Sequence, residues 1–115
     1  MQVSDDTIVL DREQLREITF DDEELMRELL ASLVEDTAKQ LGFLDHAIRE
    51  QDAQQTMRLA HYSKGACANV GANAMAALLK RLEQQAAAGR LSECAASFEA
   101  LRYEAERLRI AADLP

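Results

Sequence analysis

Residues 25–48 read Leu-Met-Arg-Glu-Leu-Leu-Ala-Ser-Leu-Val-Glu-Asp-Thr-Ala-Lys-Gln-Leu-Gly-Phe-Leu-Asp-His-Ala-Ile, and their spacing decides the fold. Leu25, Met26, Leu29, Leu30, Leu33, Val34, Thr37, Leu41, Leu44 and Ile48 recur at threes and fours, with charged residues between them. That pattern predicts about seven turns of amphipathic helix. Gly42 interrupts the stripe and reads as a bend or a point of close helix contact. Asp21, Asp22, Glu23 and Glu24 stand just ahead, where acids suit the positive end of a helix. A helix with one long apolar stripe needs partners, and the rest of the chain supplies them.

Asp52 with Gln55 three positions on predicts the start of the next helix. It ends near Gly71, a residue suited to the left-handed position that closes a helix. A fourth helix turns Met75, Leu78, Leu79 and Leu82 inward and stops at Gly89. A fifth uses Leu91, Cys94, Ala95, Phe98, Leu101, Ala105 and Leu108 at helical spacing. Upstream, Asp11 and Gln14 have the spacing of a loose capping box, which predicts a short helix over residues 12–18. Residues 1–10 form an entry segment whose Ile8, Val9 and Leu10 pack against the body. Short links make successive helices antiparallel. The expected fold is all-α, an up-down-up-down antiparallel four-helix bundle with a short N-terminal helix capping one end, and residues 11–115 form a single domain.

Composition agrees with long helices. The chain of 115 residues has one proline, at its very end, four glycines and 4% aromatic residues. It is long enough to bury on the order of two thirds of its unfolded surface. The net charge is −8, unevenly spread: residues 1–60 carry fifteen acids and six bases (−9), residues 61–115 six acids and seven bases (+1). No basic stripe exists to track phosphates, so nucleic-acid binding is excluded. Cys67 and Cys94 form neither a C-x-x-C pair nor part of a histidine-rich cluster, and read as core thiols. No apolar run approaches the ~18 residues of a membrane span, and the N-terminus lacks a basic then apolar leader pattern. A monomeric, cytoplasmic protein is expected.

The chemistry concentrates in residues 59–72, Leu-Ala-His-Tyr-Ser-Lys-Gly-Ala-Cys-Ala-Asn-Val-Gly-Ala. At about 100° per residue, Gln54, Met57, Arg58, Lys64, Gly65 and Ala68 share roughly one third of the helix circumference with His61. Leu59, Ser63, Ala66 and Val70 fall opposite and form the core face, so His61 is displayed outward. Gly65 inside a helix costs about 1 kcal/mol relative to alanine, and one turn from His61 it leaves an open path to the ring. A neutral imidazole is a nucleophile near neutral pH. The ammonium of Lys64 stabilises the spread negative charge of a phosphoryl group in transfer. His46, beside Asp45, lacks a following Lys-Gly and reads as a surface histidine.

His61, Lys64-Gly65, Gly71 and the later Leu82-Glu83 together resemble the histidine-containing phosphotransfer (HPt) domains of two-component phosphorelays. The family's motif places Lys-Gly three and four positions after the histidine, a glycine at the tenth, and a Leu-Glu pair on the next helix. The resemblance implies that His61 is the phosphoacceptor, Lys64 the phosphoryl-stabilising charge and Gly65 the clearance for an incoming domain. Glu83 would orient the imidazole. The implied partners are receiver domains, whose aspartate gives or takes the phosphoryl group and which supply the Mg²⁺, and a hybrid histidine kinase. This chain itself is expected to bind no cofactor. Docking would use Met57, Arg58 and Ala68 around His61, with Leu15, Ile18 and Phe20 from the first helix and the turn after it. One departure is Ser63, where the family commonly has leucine.

Other readings fare worse. A di-iron bundle wants Glu-x-x-His on two helices, but Arg58 and Phe43 stand three positions before His61 and His46. Ser63 and His61 diverge by about 200° around the helix, too far for a nucleophile and its base. No Gly-rich nucleotide segment is present, so the chain is no kinase by itself. The alternative is a binding-only adaptor that docks a receiver or kinase without phosphotransfer.

Overall fold

The computed structural model describes residues 7–113 and contains, among them, five helices and no strand: α1 (Arg12–Ile18), α2 (Glu23–Arg49), α3 (Ala53–Val70), α4 (Asn73–Ala87) and α5 (Leu91–Ala111). Each start that was predicted from an acid is capped by that acid. The carboxylates of Asp11, Asp22 and Asp52 accept from the backbone N–H of Gln14, Leu25 and Gln55 at 3.2, 3.1 and 3.0 Å, satisfying donors the first turn leaves open. The helix ends are set by left-handed residues, Gly71 at φ 97° and Gly89 at φ 74°. Phe20, Asp21 and Gln51 adopt the same region at φ 54°, 60° and 56°, at about 1–2 kcal/mol each for a residue with a Cβ.

The four long helices share one core. Leu33 and Leu44 of α2, Ala60 and Cys67 of α3, Met75, Leu79 and Leu82 of α4, and Phe98, Leu101 and Leu108 of α5 pack together, all buried. α3 packs against α2 and α4, and α5 against α4 and α2, so the ring of contacts closes. The entry segment joins this body: Val9 and Leu10 pack on the core, and the carbonyl of Ile8 accepts from Ala74 N–H at 2.8 Å. Residues 1–6 of that segment lie outside the described residues.

Short α1 lies across one end. Gln14 Nε2 donates to the carbonyls of Ala68 and Asn69 at 2.7 and 3.2 Å, and the Arg12 guanidinium donates to that of Ala111. These are last-turn carbonyls of α3 and α5, which a helix end leaves short of partners; that of Ala68 also accepts from the Gly71 N–H at 3.3 Å. Leu15 packs inward at 1% exposure, beside Met26 and Leu30 of α2.

Three expectations need correction. Leu15 is no docking residue, because the face of α1 that carries it is the face sealed against the bundle. Ala95 points to solvent; Ser97 takes the inward position and donates to Gln85 Oε1 at 2.7 Å. Gly42 makes no close helix contact, since a Cβ built on it meets nothing within 4 Å, and α2 runs through it as one helix.

Gly71 is different in kind. A Cβ there would lie 2.9 Å from the carbonyl oxygen of Asp11 and 3.2 Å from its Cβ, and Asp11 N–H donates to the Gly71 carbonyl at 2.8 Å. We therefore expect Gly71→Ala to destabilise the fold by about 1–3 kcal/mol, measured by urea unfolding. Gly65→Ala should instead stabilise it by about 0.5–1 kcal/mol, because a Cβ at Gly65 meets nothing within 4 Å and alanine is the better helix former. Ser63 is buried with its hydroxyl unpaired. Ser63→Ala should gain about 1 kcal/mol by removing that desolvated group, and a loss of stability in the same assay would refute this.

Candidate functional site

The site is built across the α3–α4 contact. The link between these helices is residues 71–72 alone, so α4 turns straight back along α3. His61 lies ten residues before Gly71 (71 − 61), and Glu83 eleven after Ala72 (83 − 72). At about 1.5 Å of rise per residue both stand roughly 15–17 Å from the link, so they come level. Glu83 is one turn past Leu79 and beside Leu82, both buried, and this orientation of α4 aims its carboxylate at α3.

Glu83 holds two α3 side chains at once. Its Oε2 lies 2.9 Å from His61 Nδ1, and its Oε1 accepts from Lys64 Nζ at 2.7 Å. A carboxylate only accepts, so Nδ1 carries the proton and the neutral ring keeps its lone pair on Nε2. The His61 side chain is 69% exposed, against 29% for Lys64 and 22% for Glu83. The ring is therefore anchored from behind and open in front. Burial pushes the Glu83 carboxyl up, but the hydrogen bonds and charges of Lys64 and His61 outweigh it and hold the group below its ordinary value.

The open path past Gly65 follows from the same geometry. Gly65 is exposed, and among the described residues nothing beyond its own helix backbone lies within 4 Å of its would-be Cβ. Nothing internal requires glycine there. Arg58 and Ala68 are exposed on the His61 face, whereas Met57 is half-buried against the core. At the end of α1 Ile18 is exposed, and in the α1–α2 turn Phe20 is 90% exposed.

Two features escaped sequence reading. The Lys64–Glu83 pair did, although Lys64 shares the His61 face and Glu83 was assigned to the ring; counting both helices from Gly71 would have found it. Tyr62 did as well: it is exposed beside His61, with its hydroxyl 3.4 Å from Asp36 on α2. The thiols are buried. Burial, with Asp36 adding, pushes Cys67 up to about 12, and burial raises Cys94 too, so neither is a nucleophile. Among the described residues no group of three or more His, Cys, Asp or Glu is placed to hold a metal ion, and no helix is long and apolar enough to cross a membrane.

The depressed Glu83 carboxyl makes the site pH-dependent with a definite sign. Its contribution to stability is present above the unfolded value near 4.5 and is lost as pH falls through the lower folded value. The stability difference between wild type and Glu83→Gln should be constant above that pH and shrink below it. Urea unfolding of both proteins at pH 7 and pH 3 checks this; an undiminished difference at pH 3 would disprove it.

Comparison with known proteins bears on the fold and the family. The Hpt domain family model matches residues 28–111. The crystal structure of histidine-containing phosphotransfer protein B (HptB) from Pseudomonas aeruginosa PAO1 superposes with a TM-score of 0.87 at 31% sequence identity, over 93% of each chain. No curated protein matches by sequence. With the matched region spanning α2 to α5 and a solved relative aligned over nearly the whole chain, the chain belongs to the Hpt domain family of histidine phosphotransfer proteins, which work in two-component phosphorelays.

Proposed function

We propose that His61 accepts a phosphoryl group from the aspartate of a receiver domain and passes it to another, with Lys64, Gly65 and Glu83 in distinct roles. The observation that supports this most is the ring itself, held through Nδ1 by Glu83 with Nε2 free on the solvent side.

The step balances on these groups. The Nε2 lone pair attacks phosphorus, the N–P bond forms, and the P–O bond to the receiver's aspartate breaks with its electrons leaving on the carboxylate. Positive charge developing on the ring is met through Nδ1–H by Glu83. Lys64 meets the phosphoryl oxygens. Little covalent help is needed, since phosphoryl transfer rests on positioning and charge. A Mg²⁺ carried by the receiver would neutralise charge on that side of the reaction; we assign none to this chain.

Docking uses the surface around His61, where Arg58, Ala68 and the open face of Gly65 are exposed, with the edge of Met57; Ile18 and Phe20 extend it. A hybrid histidine kinase is the natural source of one such receiver. The residues act from one domain, 11–115, behind the entry segment of residues 1–10. We read the long helices as an up-down-up-down bundle, supported by links of residues 50–52, 71–72 and 88–90 and by the joint contact of α1 with the ends of α3 and α5. The protein acts as a cytoplasmic monomer in this reading.

His61→Gln should abolish label transfer from a phosphorylated receiver while leaving the unfolding curve in place, because an exposed ring removes no core volume. Lys64→Ala should slow transfer by about ten- to a hundredfold with receiver affinity kept. Gly65→Phe should weaken receiver binding itself. Transfer to His61→Gln at the wild-type rate would refute the assignment, and receiver binding without any transfer to wild type would leave a binding-only adaptor.

A further inference from the structure

The fifth helix is apolar on two sides. Its inner side, with Cys94, Phe98, Leu101 and Leu108, is buried in the core. On its outer side Ala96, Ala100, Tyr103 and Ile110 recur at fours, threes and sevens, the spacing of one helix face. All four are exposed, Tyr103 at 66% and Ile110 at 62%. No element among the described residues covers them.

Ala100 and Tyr103 of this stripe line a groove of about 580 Å³ between α4 and α5, with Leu78 from the α4 side. Lys80, Arg81 and Arg107 line it, three cations in a chain whose net charge is −8. Among them Glu104 is the one carboxylate, 2.9 Å from Arg107 Nη1 and 14% exposed. The Arg107 guanidinium also lies 5.8 Å from the Tyr103 ring. Lys80 and Arg81 are exposed and have no ion pair among the described residues. The groove is thus basic and partly apolar on an acidic protein.

We propose that the α4–α5 groove is a docking site for an acidic amphipathic helix of a partner protein. The apolar side of that helix would lie along Ala100, Tyr103 and Ile110, and its carboxylates would meet Lys80, Arg81 and Arg107. Helices bind grooves in this way through anchors at i, i+4 and i+7. Charge selects the partner: an acidic helix is attracted here while the rest of the surface repels it. A second copy of this chain fits poorly, because its acidic helices α1 and α2 turn Leu15, Leu30, Leu33 and Leu44 inward and expose single large apolar residues, Ile18, Leu25 and Phe43, rather than a stripe at i, i+4 and i+7 beside their acids. The site does not depend on phosphotransfer, since His61 and Lys64 stand on α3.

The test is fluorescence anisotropy with a labelled glutamate-rich peptide carrying leucine at i, i+4 and i+7, beside a scrambled peptide of the same composition. The amphipathic peptide should bind at least about tenfold more tightly than the scrambled one. Binding should weaken by about tenfold or more in Lys80→Glu/Arg81→Glu and in Tyr103→Ala, remain unchanged in His61→Gln, and fade with added salt as screened charges require. These side chains are exposed, so unfolding curves should coincide with wild type. Amide shift changes on titration should cluster on α4 and α5. Absence of binding, equal binding of the scrambled peptide, indifference to both variants, or shifts confined to other helices would each overturn the proposal.

Discussion

The two-residue link at Gly71–Ala72 is the constraint from which the site follows. It turns α4 back along α3 so tightly that positions equally far from it must meet, and His61 and Glu83 are such positions. Only a left-handed residue closes α3 at that point, and the carbonyl of Asp11 crowds the space a side chain would need. The same glycine therefore ends a helix, receives the chain entering α1 and sets the register of the acid against the histidine. A sequence spacing of ten from histidine to glycine acquires a physical meaning: it is a length of helix, measured from a fixed hinge.

Within that register one carboxylate does two things that pull in different directions. By accepting a hydrogen bond from Nδ1–H it leaves the lone pair on Nε2, and by accepting from the Lys64 ammonium it draws positive charge toward the base of the site. In the resting protein the pair neutralises itself, which is why a cation and an anion tolerate partial burial there. In the transfer we propose, the oxygens of an arriving phosphoryl group would compete with Glu83 for Lys64, leaving the carboxylate to the ring just as the ring gains positive charge. On that reading the arrangement would supply each charge where the reaction develops its opposite.

Much of this was legible before any coordinates. Asp11, Asp22 and Asp52 are short acids placed just ahead of apolar periodicity, and each caps the helix it precedes. The outward position of His61 and the inward one of Ser63 followed from periodicity. Where sequence reading failed, tertiary context decided. Leu15 is the one central apolar residue of a seven-residue helix, and such a residue is what a short helix uses to attach itself. Assigning it to a partner overlooked that need. Ala95 is small enough to fit either side, so its periodicity carried little information, whereas Ser97 was passed over as polar although Gln85 stood ready to pair with it. The Lys64–Glu83 pair required the α3–α4 register, which no single helix contains.

The glycines show how far an open position can be interpreted. Gly42 and Gly65 are alike in that a Cβ on either would meet nothing within 4 Å among the described residues, so both forgo about 1 kcal/mol of helix stability with no packing reason there. Nothing in the structure explains Gly42. Openness alone is therefore not a sign of function. Gly65 gains its weight from its neighbours: one turn from an exposed, anchored imidazole, beside a lysine already drawn toward the same carboxylate, the missing side chain clears the approach to Nε2. In the docking we propose, the constraint on that position would come from outside the molecule, from a surface that must come within bonding distance of the ring.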